Sequence, residues 1–134
     1  MTLREVLHAH IPFLTPESTV RDAVDKMDIY QFPALVVVDA DRRPLAVVTE
    51  GDICRGVLQR DSLVGMACDP AHIYGSQDPT TVGVDMEIGE AFHRMLMSGL
   101  TVLPVVEDER LAGVVLRVDL MQAMLADAAE AGSA

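Results

Sequence analysis

Two aspartates stand where they could hold a sugar. Asp52 closes the stretch Pro44–Asp52, PLAVVTEGD, and Asp119 closes Leu111–Asp119, LAGVVLRVD. In both, a short apolar run rich in β-branched residues predicts a buried strand. The acid then falls where an amphipathic helix begins: Asp52 before Ile53, Val57 and Leu58, Asp119 before Leu120, Met124 and Leu125. A carboxylate in that place can accept from ribose hydroxyls, while the helix N-terminus offers free N–H groups to phosphate. Arg55, one turn after Asp52, and Arg117, two residues before Asp119, are cations able to neutralise a phosphate. A plainer account is compatible with this one. Thr49-x-x-Asp52 is also an ordinary capping box, Asp119 a capping acid, and each arginine half of an ion pair worth under ~1 kcal/mol.

The remaining chemistry-bearing residues form no second constellation. Phe13, Phe32 and Tyr74 could stack on a base, but each also suits core packing. His8 and His10, two apart on an expected leading helix, point to different faces and read as surface. His72 and His93 have no acid or thiol at ligand spacing. Cys54 and Cys68 lack a CxxC spacing and read as reduced, mostly buried thiols. The eight methionines fall mainly at helical core spacing and read as adaptable filling. No nucleophile with a base at recognisable spacing, no P-loop and no glycosidase-like carboxylate pair occurs, so the expectation is a protein that is not an enzyme and needs no metal or cofactor.

Composition narrows the partners. Ten basic against twenty-one acidic residues give a net charge of −11, which repels nucleic acid and anionic lipid at long range. A small nucleotide in a locally basic cleft is still admitted. All the cations but Lys26 are arginine, suited to forked phosphate contacts. Half of the 134 residues are apolar, enough for a folded core. No apolar run reaches the ~18 residues of a membrane span, and MTLREVLHAH lacks a signal-peptide core, so a cytoplasmic location is expected.

The chain says most of this twice. A shift of 68 residues lines up Val20 with Ile88, Ala23 with Ala91, Met27 with Met95, Leu35 with Leu103 and Val37 with Val105. One residue dropped after Asp39 makes the shift 67, and Arg43 then meets Arg110, Val47 meets Val114, and Asp52 meets Asp119. In the first copy the pattern predicts a leading helix over 3–9, an extended piece at Ile11–Leu14, a helix from Thr19 to Tyr30 opened by Thr19 and Asp22, strands at Leu35–Val38 and Leu45–Thr49, and a helix over Asp52–Gln59. Residues 60–79 read as a connection with a helical turn near Pro70–Tyr74. The second copy predicts a helix over Glu87–Ser98, strands at Val102–Val106 and Gly113–Leu116, a helix over Val118–Ala128 and a frayed tail, AEAGSA. Two α/β units this small are expected to pack about a pseudo-two-fold axis with two related clefts between them. Apolar residues such as Met121, Met124 and Leu125 on an outer helix face favour a homodimer.

At this level the sequence resembles a tandem pair of CBS domains, the module named after cystathionine β-synthase. The resemblance rests on TVRDAVDKM with LVVVDADRRPLAVVTEGDI, and again on EIGEAFHRM with GLTVLPVVEDERLAGVVLRVDL. It implies an α/β (α+β) fold of two β-α-β-β-α repeats, set here at 7–60 and 79–127 with a linker at 61–78. It also implies a regulatory role, with an adenosine-containing ligand (AMP, ADP, ATP, S-adenosylmethionine or a dinucleotide) in an inter-repeat cleft. The family's Ser/Thr-x-x-Asp motif is met by Thr49 and Asp52, and its Gly-apolar-x-x-apolar-Pro motif by Gly99, Leu100, Leu103 and Pro104. Pro12, Phe13, Thr80 and Thr81 occupy the extended segments that flank the base in the family. The departures are Leu116 where the second hydroxyl belongs, with Arg117 following it, and Gln31, Phe32, Pro33 and Ala34 in place of the first glycine motif. One working site is therefore expected rather than two.

Two functions follow as expectations. In one, the chain is a regulatory pair that binds an adenosine-containing ligand and signals to a regulated protein. In the other, it is a ligand-free dimerisation and docking module whose motifs survive as helix caps.

Overall fold

The structure, a computed structural model, describes residues 1–133, with side chains to Ala129. It divides into two compact units: Pro12–Pro79, and Met1–Ile11 together with the chain from Thr80 onward.

In the first unit, α1 (Val20–Tyr30) leads to β1 (Ala34–Val38), β2 (Pro44–Thr49), α2 (Glu50–Arg60), α3 (Leu63–Met66) and β3 (Ser76–Gln77). The strands form an antiparallel sheet in the order β1-β2-β3. Leu14 extends it on the far side of β1, donating its N–H to Val36 O at 2.9 Å and accepting from Val38 N–H at 2.8 Å. All of β1 is buried, which is why ALVVV reads as a continuous apolar run rather than an alternating one. Its Leu35 and Val37 share a core with Leu14, Val20, Ala23, Ile53, Met66 and Ala71. Tyr74 packs on this core and donates its hydroxyl to Asp69 at 2.5 Å, and that bond pushes the phenol pKa up.

The second unit repeats the plan with β4 (Val82–Gly83), α4 (Ile88–Ser98), β5 (Val102–Glu107), β6 (Arg110–Leu116) and α5 (Arg117–Ser133). β4 runs parallel to β5, and β5 antiparallel to β6, around a core of Leu3, Val82, Ile88, Ala91, Met95, Leu103, Val105, Val115 and Leu120. With one initial strand or bridge ahead of the first long helix of each, both units have the β-α-β-β-α order that the resemblance implied.

The repeat reaches further toward the N-terminus than the apolar matches indicate, and its two leading segments are exchanged. Residues 2–14 and 70–82 are related by the same offset of 68. Ala71 N–H donates to Ser18 O at 2.8 Å, and Leu3 N–H donates to Met86 O at 3.0 Å. Residues up to Ile11 thus dock in the second unit and residues 70–79 in the first, whereas Leu14 and Val82 pair with the sheets of their own copies. The expected helix over 3–9 shrinks to one 3₁₀ turn, Leu3–Glu5, because the chain must straighten for His8 to pair with Val114 on β6. Residues 61–78 carry α3, a 3₁₀ turn at Ala71–Tyr74 and β3 inside the first unit.

Three expectations are corrected. Cys54 and Cys68 are exposed thiols, not buried ones. Ile53 and Val57 turn α2's inner face to the core, and Cys54 lies about 100° round the helix from Ile53. Met124 is half-buried against the second core, whereas Met121 and Leu125 are exposed. α5 continues past Ala128, and the expected frayed tail ends at Ala134, outside the described residues.

The predicted capping box of α1 is present. Asp22 N–H donates to Thr19 Oγ1 at 3.1 Å, and Thr19 N–H donates to the Asp22 carboxylate at 2.9 Å. That backbone bond holds the Asp22 carboxyl below its ordinary pKa. A depressed carboxyl contributes stability that is present above its unfolded pKa and lost as pH falls through the folded one. Asp22→Asn should therefore melt below the wild type at pH 7, and the difference should close as the buffer is taken below the ordinary carboxylate range. A melting difference that stays constant across that range would remove the linkage.

Candidate functional site

The strand–helix junction at Thr49 is built by two pairings. In register, Thr49 lies opposite Ala34, so the first residue of β1 flanks the last of β2. Glu50 N–H then donates to Pro33 O at 2.9 Å, which turns the chain out of the sheet and into α2. Thr49 is extended and serves as N-cap. Its Oγ1 accepts from Asp52 N–H at 3.0 Å, and its own N–H donates to Asp52 Oδ2 at 2.8 Å. The other oxygen, Oδ1, is held by Arg55 Nη2 from the next turn of the helix. Asp52 is only 9% exposed, and it is the buried charged residue among the described positions.

The second junction is made differently. Leu116 N–H donates to Asp119 Oδ2 at 2.8 Å, so the acid caps α5. Leu116 has no hydroxyl to return, and the reciprocal half of the box is missing. In its place His8 Nε2 reaches the same Oδ2 at 2.8 Å. Asp119 is more open than Asp52, with its side chain 19% exposed. Sequence reasoning missed His8 as a partner of this acid. The two residues are 111 positions apart, and only the docking of the leading segment against β6 brings them together.

The other expected site residues divide between the units. Pro12 and Phe13 precede the Leu14 bridge and are half-buried. The Phe13 ring lies 5.1 Å from the Arg42 guanidinium carbon, and its carbonyl accepts from Lys26 Nζ at 3.0 Å. Phe32 lines a 440 Å³ groove with Val24, Met27, Ile53, Cys54 and Leu63. In the second unit, Thr80 and Thr81 lead into β4. Gly99 ends α4 at φ +65, a left-handed turn that favours glycine, and Leu100 packs on the core beside it. Pro104 is buried in β5 opposite Val114. Arg117 opens α5 and is exposed. Thr49, Asp52, Arg55 and Ala34 are thus gathered at one junction, and Asp119 with Arg117 at the other. Among the described residues, no group of three or more His, Cys, Asp or Glu could hold a metal ion, and no helix is long and apolar enough to cross a membrane.

The model of the CBS domain matches residues 3–59 and again residues 72–126. This chain belongs to the CBS-domain family. Both matched stretches begin within the exchanged leading segments, so a CBS repeat in sequence and a compact unit in space are offset here by one such segment. A curated relative, an uncharacterized 17.7 kDa protein of Acidianus ambivalens, is 31% identical over 82% of this chain, which spans 65% of that relative's length. Among solved structures, CBSX2 in complex with AMP matches at a TM-score of 0.78 and 21% identity, over 92% of this chain and 96% of that one. A CBS-domain containing protein from Agrobacterium tumefaciens matches at a TM-score of 0.82 and 19% identity, over 92% and 99%. At such identities these two structures bear on the fold, and they agree with a CBS pair of two sheets and five helices.

Proposed function

We propose that this CBS pair is a non-catalytic regulatory module that binds an adenosine-containing ligand. In this reading Asp52 takes the ribose hydroxyls, Thr49 and Arg55 face phosphate, and Pro12, Phe13, Phe32 and Ala34 border the base. Asp119 and Arg117, with Thr80, Thr81, Gly99, Leu100 and Pro104, form the corresponding second set. The single observation that carries it is the Asp52 junction: a nearly buried carboxylate fixed at the positive end of a helix, beside a hydroxyl and a guanidinium. That a structural neighbour, CBSX2, was solved with AMP supports the choice of ligand class. The module acts in the cytoplasm as a homodimer through exposed apolar residues of α5 (Val118, Met121 and Leu125), and it signals to a partner protein. Occupancy reaches that partner only through the ligand's differential affinity for the module's conformations.

The test is calorimetry with AMP, ATP, S-adenosylmethionine and NADH, with thermal melts and sedimentation equilibrium on the same samples. A ligand at one hundred times its Kd should add about 2.7 kcal/mol to stability. Asp52→Ala should weaken binding at least tenfold, while Asp119→Ala leaves most of it. Equal heats from wild type and Asp52→Ala would remove Asp52 from the site, and a monomer mass would remove the homodimer. A second reading, a docking module without a ligand, is favoured by one observation: the capping box already gives Thr49 and Asp52 a structural task. It predicts no thermal shift with any nucleotide.

A further inference from the structure

The first unit carries a groove that its own core leaves open. Buried Ile53 and half-buried Met27 form the floor, and exposed Val24, Cys54 and Leu63 the walls. The spacing on the two helices matches: Val24, Met27 and Asp28 stand at i, i+3 and i+4 on α1, and Glu50, Ile53 and Cys54 do so on α2. Each helix therefore turns an apolar stripe and one acid to the same channel. The charges are one-sided. Arg21 pairs with Asp25 at 3.4 Å and Arg60 with Asp69 at 3.3 Å, Arg55 is held by Asp52, and Lys26 donates to the Phe13 carbonyl. Asp22 caps α1 and Asp52 caps α2. Among the described residues, the charged side chains of these helices left without an ion pair or a cap bond are Asp28 and Glu50, and both line the groove.

We propose that this groove receives a basic amphipathic helix of the protein that the module regulates. This rests on the reading that the module signals to a partner, and it gives that partner's chemistry. Leucine-sized side chains on one face of such a helix fill the channel between α1 and α2, and lysines or arginines flanking that face meet Asp28 and Glu50. A third helix laid along two others is ordinary packing of ridge into groove. A second copy of this chain is the poorer occupant, because it brings a net charge of −11 to two unpaired carboxylates. The same net charge draws a cationic helix in. The groove also adjoins the Asp52 junction. Pro33 and Glu50 both line it, and they are joined by the 2.9 Å backbone bond that turns the chain into α2. Groove and junction thus share one turn of backbone.

The probe is a synthetic helix of about sixteen residues, leucine at i, i+3, i+4 and i+7 and lysine on its other faces, labelled with fluorescein. Binding is followed by anisotropy at about 0.15 M salt, where loose attraction between surface charges is screened. Val24→Lys and Leu63→Lys should each weaken binding at least tenfold. Ile73→Lys, the same kind of change at an exposed residue of this unit outside the groove, should weaken it less than twofold. A peptide with glutamate in place of lysine should bind at least tenfold more weakly. In a Cys68→Ser background, bound peptide should slow alkylation of the exposed Cys54 at least fivefold. Circular dichroism melts show that each variant is folded. No binding by the wild type, equal binding by the groove variants and Ile73→Lys, or Cys54 reactivity unchanged at saturation overturns the proposal. So does a wild-type dimer that Val24→Lys turns into a monomer in sedimentation equilibrium, since the groove then belongs to a second copy. AMP calorimetry on the same samples separates this proposal from the sensing reading: peptide bound without nucleotide upholds the groove and removes the sensor, and nucleotide bound without peptide does the reverse.

Discussion

Leu103→Ala is expected to lower the stability of the second unit by roughly 3 kcal/mol, within the 2–5 kcal/mol typical of a leucine removed from a packed core. Leu103 is fully buried in β5, opposite Val115, and belongs to the cluster containing Leu3, Ile88, Met95 and Leu120. These come from the leading turn, α4 and α5, so no single neighbour can move in to fill the vacated space. Domains are commonly stable by only about 5–15 kcal/mol, so the variant should lose a large part of its margin. Leu35, its counterpart under the 68-residue shift, is equally buried in β1, and Leu35→Ala should cost a similar amount. Urea unfolding followed by circular dichroism measures both. A loss under 1 kcal/mol at either position would mean that the site collapses around the deletion, and that the core is less rigidly built than its burial implies.

The parts of this fold that follow from short-range pattern were legible in the sequence. Apolar runs gave the hairpins, Thr19 with Asp22 gave the start of α1, and Thr49 with Asp52 gave the start of α2. In all of these, the residues that specify the structure are within a few positions of one another. The exchanged leading segments were not legible. Local pattern reports that 2–11 and 70–79 have apolar anchors, but which sheet each one joins depends on pairings far apart in sequence. His8 was read as a surface residue for the same reason, since its bond to Asp119 follows from where the segment docks. Cys54 shows a different failure. Its chemical type favours burial, yet its position on α2 faces outward, and that is settled by which side of the helix meets the sheet.

The two acids suggest how duplication and divergence meet in this chain. Both caps have been kept, since each helix needs its N-terminal N–H groups satisfied whatever else the junction does. What changed is the second partner of each carboxylate: an arginine from the same helix at Asp52, a histidine from the leading segment at Asp119. A permanently charged partner beside a hydroxyl is the better equipped of the two for an anionic ligand. The first junction is therefore where a nucleotide should be sought.

Gly113→Ala is expected to loosen the leading segment from the second unit. A Cβ at Gly113 would fall on the His8 carbonyl oxygen, well inside contact distance, and 2.7 Å from Leu7 Cδ1. The carbonyl cannot withdraw without disturbing a pair of backbone bonds: His8 N–H donates to Val114 O at 2.9 Å, and Val114 N–H donates to His8 O at 3.2 Å. Overpacking of this kind costs about 1–3 kcal/mol. The lower entropy of alanine in the unfolded chain returns only about 0.4–1 kcal/mol. The net should be a loss of stability, with hydrogen exchange at Leu3 to His8 accelerated more than exchange in β5. The corresponding join in the first unit also carries a glycine, but on the other side of the contact: Gly75, on the leading segment, lies against the Val47 carbonyl. Gly83 supplies the control, because a Cβ there meets nothing within 4 Å, so Gly83→Ala should be neutral or stabilising. If Gly113→Ala behaves like Gly83→Ala, with protection of residues 3–8 unchanged, the segment is not held against β6 by the contact described.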